Sequence, residues 1–345
     1  MKTKITELLD IEHPIVLPGM SWISTPDLVA AVCNAGGLGI LASGPLSPIE
    51  TRQAIQKIRT LTDKPFGIGI TLMMPGSKEN ALIAIEEKVP VVNFSLGKGD
   101  WLIKAVHEYG GKVIATVVSE KHAKSAEKNG ADALLVTGHE AAAHGGDVTS
   151  LVLIPAISQK VSIPIIATGG FADGRGLLAA LALGAGAIAM GSRLATCKES
   201  PLHQNMKDAV VERNESQTIY GNNFDGIHAR VMESPASIEA MKRPIGFIKA
   251  ALLSMQAATI AKIPVTTILM GLVMQFDKVK LLSLFGAATK KIKAATVEGD
   301  VNKGVQFIGQ TQGLIEDQPS VQELIERTLT QAAEGSALLA EQCKS

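Results

Sequence analysis

Aromatic residues make up only 3% of this 345-residue chain. That argues against the ring platforms on which single-stranded nucleic acids stack. Charge of one sign is not in excess either. The chain's 33 Lys and Arg balance its 33 Asp and Glu, leaving no basic footprint for a nucleic-acid partner. Cysteine is scarce and odd in number, with Cys33, Cys197 and Cys343 far apart. A disulfide framework and a cysteine-built zinc site are therefore not expected, and a reducing, cytoplasmic setting fits best. The first ten residues contain acids and no long apolar run, unlike a secretory leader. The most apolar stretch, 263–274, falls short of the ~20 residues that span a bilayer. It reads as a buried helix or the wall of an apolar pocket. No G-x-S-x-G nucleophile motif occurs, and the first strand-to-helix turn, P-G-M-S-W-I-S-T, lacks G-x-G-x-x-G. The second absence counts against an open dinucleotide-binding sheet.

What the chain has is glycine (33 residues) and a hydrophobic fraction of 46%, enough for a large core. Short apolar runs at 15–17, 38–41, 66–70, 90–94, 112–117, 133–136, 165–167 and 187–190 read as strands. Helical stretches separate them, several opened by a cap such as Thr25-Pro26 or Ser119-Glu120. This alternation implies a parallel sheet, and eight strands close into a (β/α)8 TIM barrel. Residues 201–213 read as the eighth barrel helix. The expected division is a barrel over 1–213, an added helical lid or subdomain over 214–302, and helices over 303–345 that pack back on the barrel, 321–333 being clearly amphipathic.

The ends of the last two strands carry the sharpest local signal. Residues 164–193 read P-I-I-A-T-G-G-F-A-D-G-R-G-L-L-A-A-L-A-L-G-A-G-A-I-A-M-G-S-R. Thr168, Gly169 and Gly170 end one strand, and Gly191 and Ser192 end the next. Such ends are small and rich in free N–H donors, and in this barrel they are the usual phosphate site. An ordinary pair of tight turns is the competing reading.

The loop after the sixth strand, T-G-H-E-A-A-A-H-G-G-D, holds His139, Glu140, His144, Gly145, Gly146 and Asp147. The spacing matches no usual zinc arrangement. His144 suits proton transfer or hydrogen bonding to a substrate, because imidazole exchanges a proton near neutral pH. The alternative is a loop histidine satisfied by a neighbouring carbonyl. Gly145 and Gly146 would let a cofactor ring approach. His139 and His228, the latter in N-N-F-D-G-I-H, are weaker candidates for substrate contact. His13 precedes the first strand, on the bottom face, and reads as structural. His107, His122 and His203 read as solvated.

Taken together, P-I-V-L-P-G-M, N-A-G-G-L-G-I-L-A, G-H-E-A-A-A-H-G-G-D and the A-T-G-G-F-A-D-G-R-G…M-G-S-R block resemble the nitronate monooxygenase family. Flavin-type enoyl-acyl-carrier-protein reductases and NADH:quinone reductases are similar. The resemblance implies a barrel that binds FMN, with phosphate on Gly169, Gly170, Gly191 and Ser192 and with Pro18, Gly19 and Met20 along the ring. It implies His144 as base or polar contact, and oxidation of alkyl nitronates with oxygen. The alternative is reduction of a quinone or enoyl thioester, with NAD(P)H as donor. Two departures stand out. The family's E-A-G-G-H is E-A-A-A-H here, and Gly69 occupies the place of an asparagine that ends the third strand. The expected partner is a small molecule, with no nucleic acid and no membrane span; a homodimer is compatible with the sequence.

Overall fold

The computed structural model describes residues 1–74, 76–142, 144–242 and 276–344. Eight parallel strands close into a barrel in chain order: β1 (Ile15–Leu17), β2 (Leu38–Ala42), β3 (Gly67–Thr71), β4 (Val91–Ser95), β5 (Lys112–Val117), β6 (Ala133–Thr137), β7 (Ile165–Thr168) and β8 (Ala187–Ala189). The ring closes where Ile15 pairs with Ile188 and Val16 with Ala189. β1 and β5 fall where expected, the other strands have ends that shift by one residue, and Met190 lies outside β8.

Alternation along each strand sorts the side chains into two layers. Val16, Leu38, Ile40, Val91, Ile114, Leu135 and Ile166 fill the barrel interior. Their outward neighbours, such as Leu17, Leu41, Val92 and Val136, meet the helices. A short helix, α1 (Lys4–Leu9), closes the bottom of the barrel, with Ile5 and Leu9 joining the interior cluster. Its entry is set by a reciprocal cap between Thr3 and Thr6, which satisfies two amides that would otherwise lack partners. Thr25, by contrast, precedes Pro26 without making a side-chain cap bond. His13 precedes β1 at the bottom of the barrel, and its buried Nδ1 has no hydrogen-bond partner among the described residues.

Two features after β8 depart from expectation. A one-turn helix, Ser192–Ala195, precedes the eighth barrel helix, which is confined to Gln204–Val211. The stretch from 214, expected to be helical, opens instead with an antiparallel hairpin, β9 (Thr218–Gly221) and β10 (Ala229–Met232). A helix over Phe276–Thr296 follows later. The apolar run at 263–274 lies outside the described residues. Among the described residues, no helix is long and apolar enough to cross a membrane.

The tail does return to the barrel. The last helix, Val321–Gln342, is opened by a Ser320/Glu323 capping box and buries Val321, Leu324, Ile325, Thr328 and Ala332. Gln331 accepts the Gly174 N–H at 3.1 Å. Arg193, nearly buried, reaches across to the carboxylate and the carbonyl of Asp317. Cys33 and Cys197 are buried and Cys343 is exposed. Burial pushes the Cys33 thiol up to about 11 and that of Cys197 to about 12, so neither supplies thiolate at neutral pH. Titration with an aromatic disulfide should therefore count one fast thiol per native chain and three after denaturation; a second fast thiol would contradict this packing.

Candidate active site

One large cavity, of about 1040 Å³, opens at the C-terminal ends of the strands, where barrels of this kind carry their chemistry. Its floor is polar, set by inward positions at the strand tops: Asn93, Thr116, Thr137 and Thr168. Every residue assigned from sequence to a cofactor lines it: Pro18, Gly19, Met20, Gly145, Gly146, Thr168, Gly169, Gly170, Gly191 and Ser192. His144 and His228 line it too. His139 stands behind them, its Nδ1 2.9 Å from the Gly146 carbonyl and its ring edge-on to Tyr220.

The glycines serve different ends. Gly169 and Gly170 have φ of +100° and +88°, a backbone that L side chains avoid. Among the described residues, the amides of Gly169, Gly170 and Gly191 donate to no protein acceptor. A Cβ on Gly191 would stand 3.5 Å from Met20 Sδ and 3.8 Å from Pro18 Cγ, both cavity-lining atoms, so its absence leaves room in the cavity itself. Gly145 differs: a Cβ there would meet the Gly138 carbonyl at 2.6 Å, so its smallness is demanded by loop packing. This cradle fits a phosphorylated group: free amides, no acidic side chain among the residues that carry them, and a helix N-terminus at Ser192. The Ser192 hydroxyl is already engaged, accepting the Gly309 N–H at 2.9 Å.

The loop 138–147 is held from several sides. Glu140 accepts from the Ser150 N–H at 2.9 Å. The single Ser150 hydroxyl proton has two acceptors in reach, Glu140 at 3.0 Å and the Gly169 carbonyl at 2.6 Å, of which the second is the shorter. Glu140 thus braces the cradle, and among the described residues no group of three or more His, Cys, Asp or Glu is placed to hold a metal. Arg230, buried on β10, donates twice to the His139 carbonyl (3.2 and 3.1 Å) and once to Thr218. Burial lowers the proton affinity of its guanidinium, and the Tyr220 ring lies 5.4 Å beneath it. Tyr220 also donates to the Gly145 carbonyl at 3.0 Å.

His144 faces the link between the two hairpin strands. Its Nε2 lies 3.4 Å from Asp225 Oδ2, whose side chain is only 1% exposed. Its Nδ1 lies 3.3 Å from the His228 carbonyl. The alternative reading of His144, a ring satisfied by a carbonyl, is thus met at one nitrogen, while the other meets a carboxyl. Burial pushes that carboxyl upward, against the pull of His144. Phe307 presents its ring 6.0 Å from the imidazole.

Sequence reasoning missed Asp225, Arg230, Asn93 and Phe307. Asp225 sits in the N-N-F-D-G-I-H segment already noted for His228. Asn93 pairs in register with Gly69, so the floor has an amide one strand away from the place where the family's asparagine is missing. Its Nδ2 donates to the Ile114 carbonyl and to Thr116, each at 3.0 Å. Three histidines expected to be solvated have local roles. His107 meets Asp132 at 2.8 Å, His203 accepts the Asn205 N–H at the start of a helix, and exposed His122 lines an outer arm of the cavity with Lys98 and Asn129.

The chain belongs to the nitronate monooxygenase family, whose model matches residues 2–84 and 77–331, and it is an oxidoreductase of that family. It is 36% identical over 338 residues to (3aS,4S,5R,7aS)-5-hydroxy-7a-methyl-1-oxo-octahydro-1H-indene-4-carboxyl-CoA dehydrogenase of Rhodococcus jostii, covering 96% of each chain. A probable nitronate monooxygenase of Staphylococcus aureus is 31% identical over 275 residues, 66% of this chain and 78% of that one. Among solved structures, FabK of Thermotoga maritima superposes with a TM-score of 0.84 at 36% identity, covering 99% of both chains.

Proposed function

We propose that this protein is an FMN-dependent oxidoreductase acting on an acyl thioester, most simply a coenzyme A thioester, at the carbons next to its carbonyl. The observation that carries the reading is the reach of the cavity. At about 1040 Å³ it runs from the glycine cradle past His144 to Lys98, His122 and Asn129. Pockets for one drug-sized ligand occupy roughly 300–1,000 Å³, so this one sits at the upper limit and suits a cofactor with a second, elongated ligand. The full-length likeness to a CoA dehydrogenase supports the same reading.

The amides of Gly169, Gly170, Gly191 and Ser192 would hold the FMN phosphate, and Pro18, Gly19 and Met20 would flank its ring. FMN bound there would supply two-electron hydrogen transfer. The chain's own part is to fix the ligand, exclude water and handle a proton at His144. Lys98 at the outer arm would meet the phosphates of the thioester's carrier.

Nitronate oxidation is the second reading, favoured by the family match and by an imidazole over the site. Mixing holoprotein under nitrogen with NADH or with an alkyl nitronate separates the two. Rapid bleaching of the flavin by NADH, followed by reoxidation with an enoyl-CoA, is the expected result. Bleaching by the nitronate alone would replace the thioester reading with the second one.

A further inference from the structure

The cavity floor holds an amide whose orientation is decided by its neighbours. Asn93, near the top of β4, lines the cavity and is 9% exposed. Its Nδ2 lies 3.0 Å from the Ile114 carbonyl and 3.0 Å from Thr116 Oγ1. A backbone carbonyl only accepts, so the end of the amide that faces Ile114 is the NH2, and the flipped amide is excluded. Both of its hydrogens are then spent, one on Ile114 and one on Thr116. What remains for a ligand is Oδ1. Among the described residues, the Thr116 hydroxyl alone reaches that oxygen, at 3.4 Å, which is long for an O–H···O bond. Thr116 accepts from Asn93 at the shorter distance, and its own hydrogen is left for a better acceptor. Asn93 and Thr116 thus present one fixed acceptor and one donor, side by side on adjacent strands. That pair is the complement of an N–H next to a C=O.

The pair is also in the right place. The strands close in chain order, so the tops of β4 and β5 stand across the mouth from those of β8 and β1, which lead into Gly191 and into Pro18, Gly19 and Met20. A mononucleotide with its phosphate at the glycine cradle carries its other end over this pair. Gly69, in register with Asn93, adds no side chain to contend for the space. The flavin ring system has two unlike ends: a dimethylbenzene end that makes no hydrogen bonds, and a pyrimidine end with an N3–H between two carbonyls. Resting on the FMN reading, and independent of the substrate, we infer that Asn93 and Thr116 recognise the pyrimidine edge of the flavin. Asn93 Oδ1 accepts from N3–H, the Thr116 hydroxyl donates to a carbonyl beside it, and together they fix which end of the ring lies over β4 and β5.

The test compares binding of FMN and of 3-methyl-FMN, which lacks the N3–H, to apoprotein, read by flavin fluorescence with circular dichroism as the fold control. Wild type should prefer FMN by roughly thirtyfold or more, because the methylated ring leaves a buried acceptor without its donor. Asn93→Ala removes the acceptor and makes room for the methyl; it should lose roughly tenfold or more in FMN affinity and keep a preference below about threefold. Thr116→Val should weaken FMN roughly fivefold or more, keep a preference above about tenfold, and be rescued by Thr116→Ser. A second readout needs no variant. With FMN labelled with 15N at N3, the N3–H of wild-type holoprotein should exchange with water roughly tenfold or more slowly than that of free FMN, since a held hydrogen exchanges only when its bond opens. A folded Asn93→Ala that keeps the wild-type preference, or an N3–H exchanging as fast as in free FMN, overturns the inference and leaves the FMN reading intact. Wild type that binds neither flavin overturns the FMN reading itself, and the inference with it.

Discussion

Gly191→Val should yield a folded, colourless protein. The residue has φ −80°, which valine accepts without strain. Its new Cβ would lie in ordinary contact with Met20 Sδ and Pro18 Cγ, at 3.5 and 3.8 Å, and its methyls would extend into the cavity. The expected loss is at least a hundredfold in FMN affinity, equal to about 2.8 kcal/mol. Any fall in melting temperature should match what wild type loses when its FMN is stripped, because a ligand stabilises only through its binding. Absorbance near the flavin bands after reconstitution, with far-ultraviolet circular dichroism as the fold control, reads both. A Gly191→Val protein that keeps stoichiometric FMN would remove the cradle assignment.

His144→Ala should separate cofactor from chemistry. The side chain comes from a different loop than the glycine amides, and Glu140, Ser150 and Arg230 brace that loop independently. FMN content should therefore stay near wild type. General acid–base catalysis supplies roughly 10²–10⁴ in rate, and turnover of the true substrate should fall within that range. Bleaching by an external reductant, which needs no imidazole proton, sets the control. Turnover at the wild-type rate would exclude His144 from the chemistry.

The barrel was readable because its signals are local. The strands are short runs rich in Val, Ile, Leu and Ala, several of which end in a small polar residue, as at Thr71, Ser95, Thr137 and Thr168, and helices separate them. The proposed cradle draws on the same kind of local signal, since Thr168-Gly169-Gly170 and Gly191-Ser192 each stand together in the chain. The neighbours of His144 do not. The His228 carbonyl lies 84 residues along the chain from it, and no periodicity links the two. The hairpin was missed although cues for its first strand were present. Thr218-Ile219-Tyr220 are β-formers and a stretch rich in Gly, Asn and Asp follows them, while Ala229 and Arg230 favour helix, and a helical reading of the surrounding stretch prevailed. Gly145 shows the converse limit: a glycine beside a site invites a ligand explanation, and only the position of the Gly138 carbonyl reveals a packing cause.

The bond from the Gly309 amide to the Ser192 hydroxyl has a consequence for biogenesis. Synthesis runs from the N-terminus, so Ser192 is made 117 residues before the Gly309 amide whose hydrogen it accepts. The tie at the end of the eighth strand can close only once the growing chain has passed residue 309.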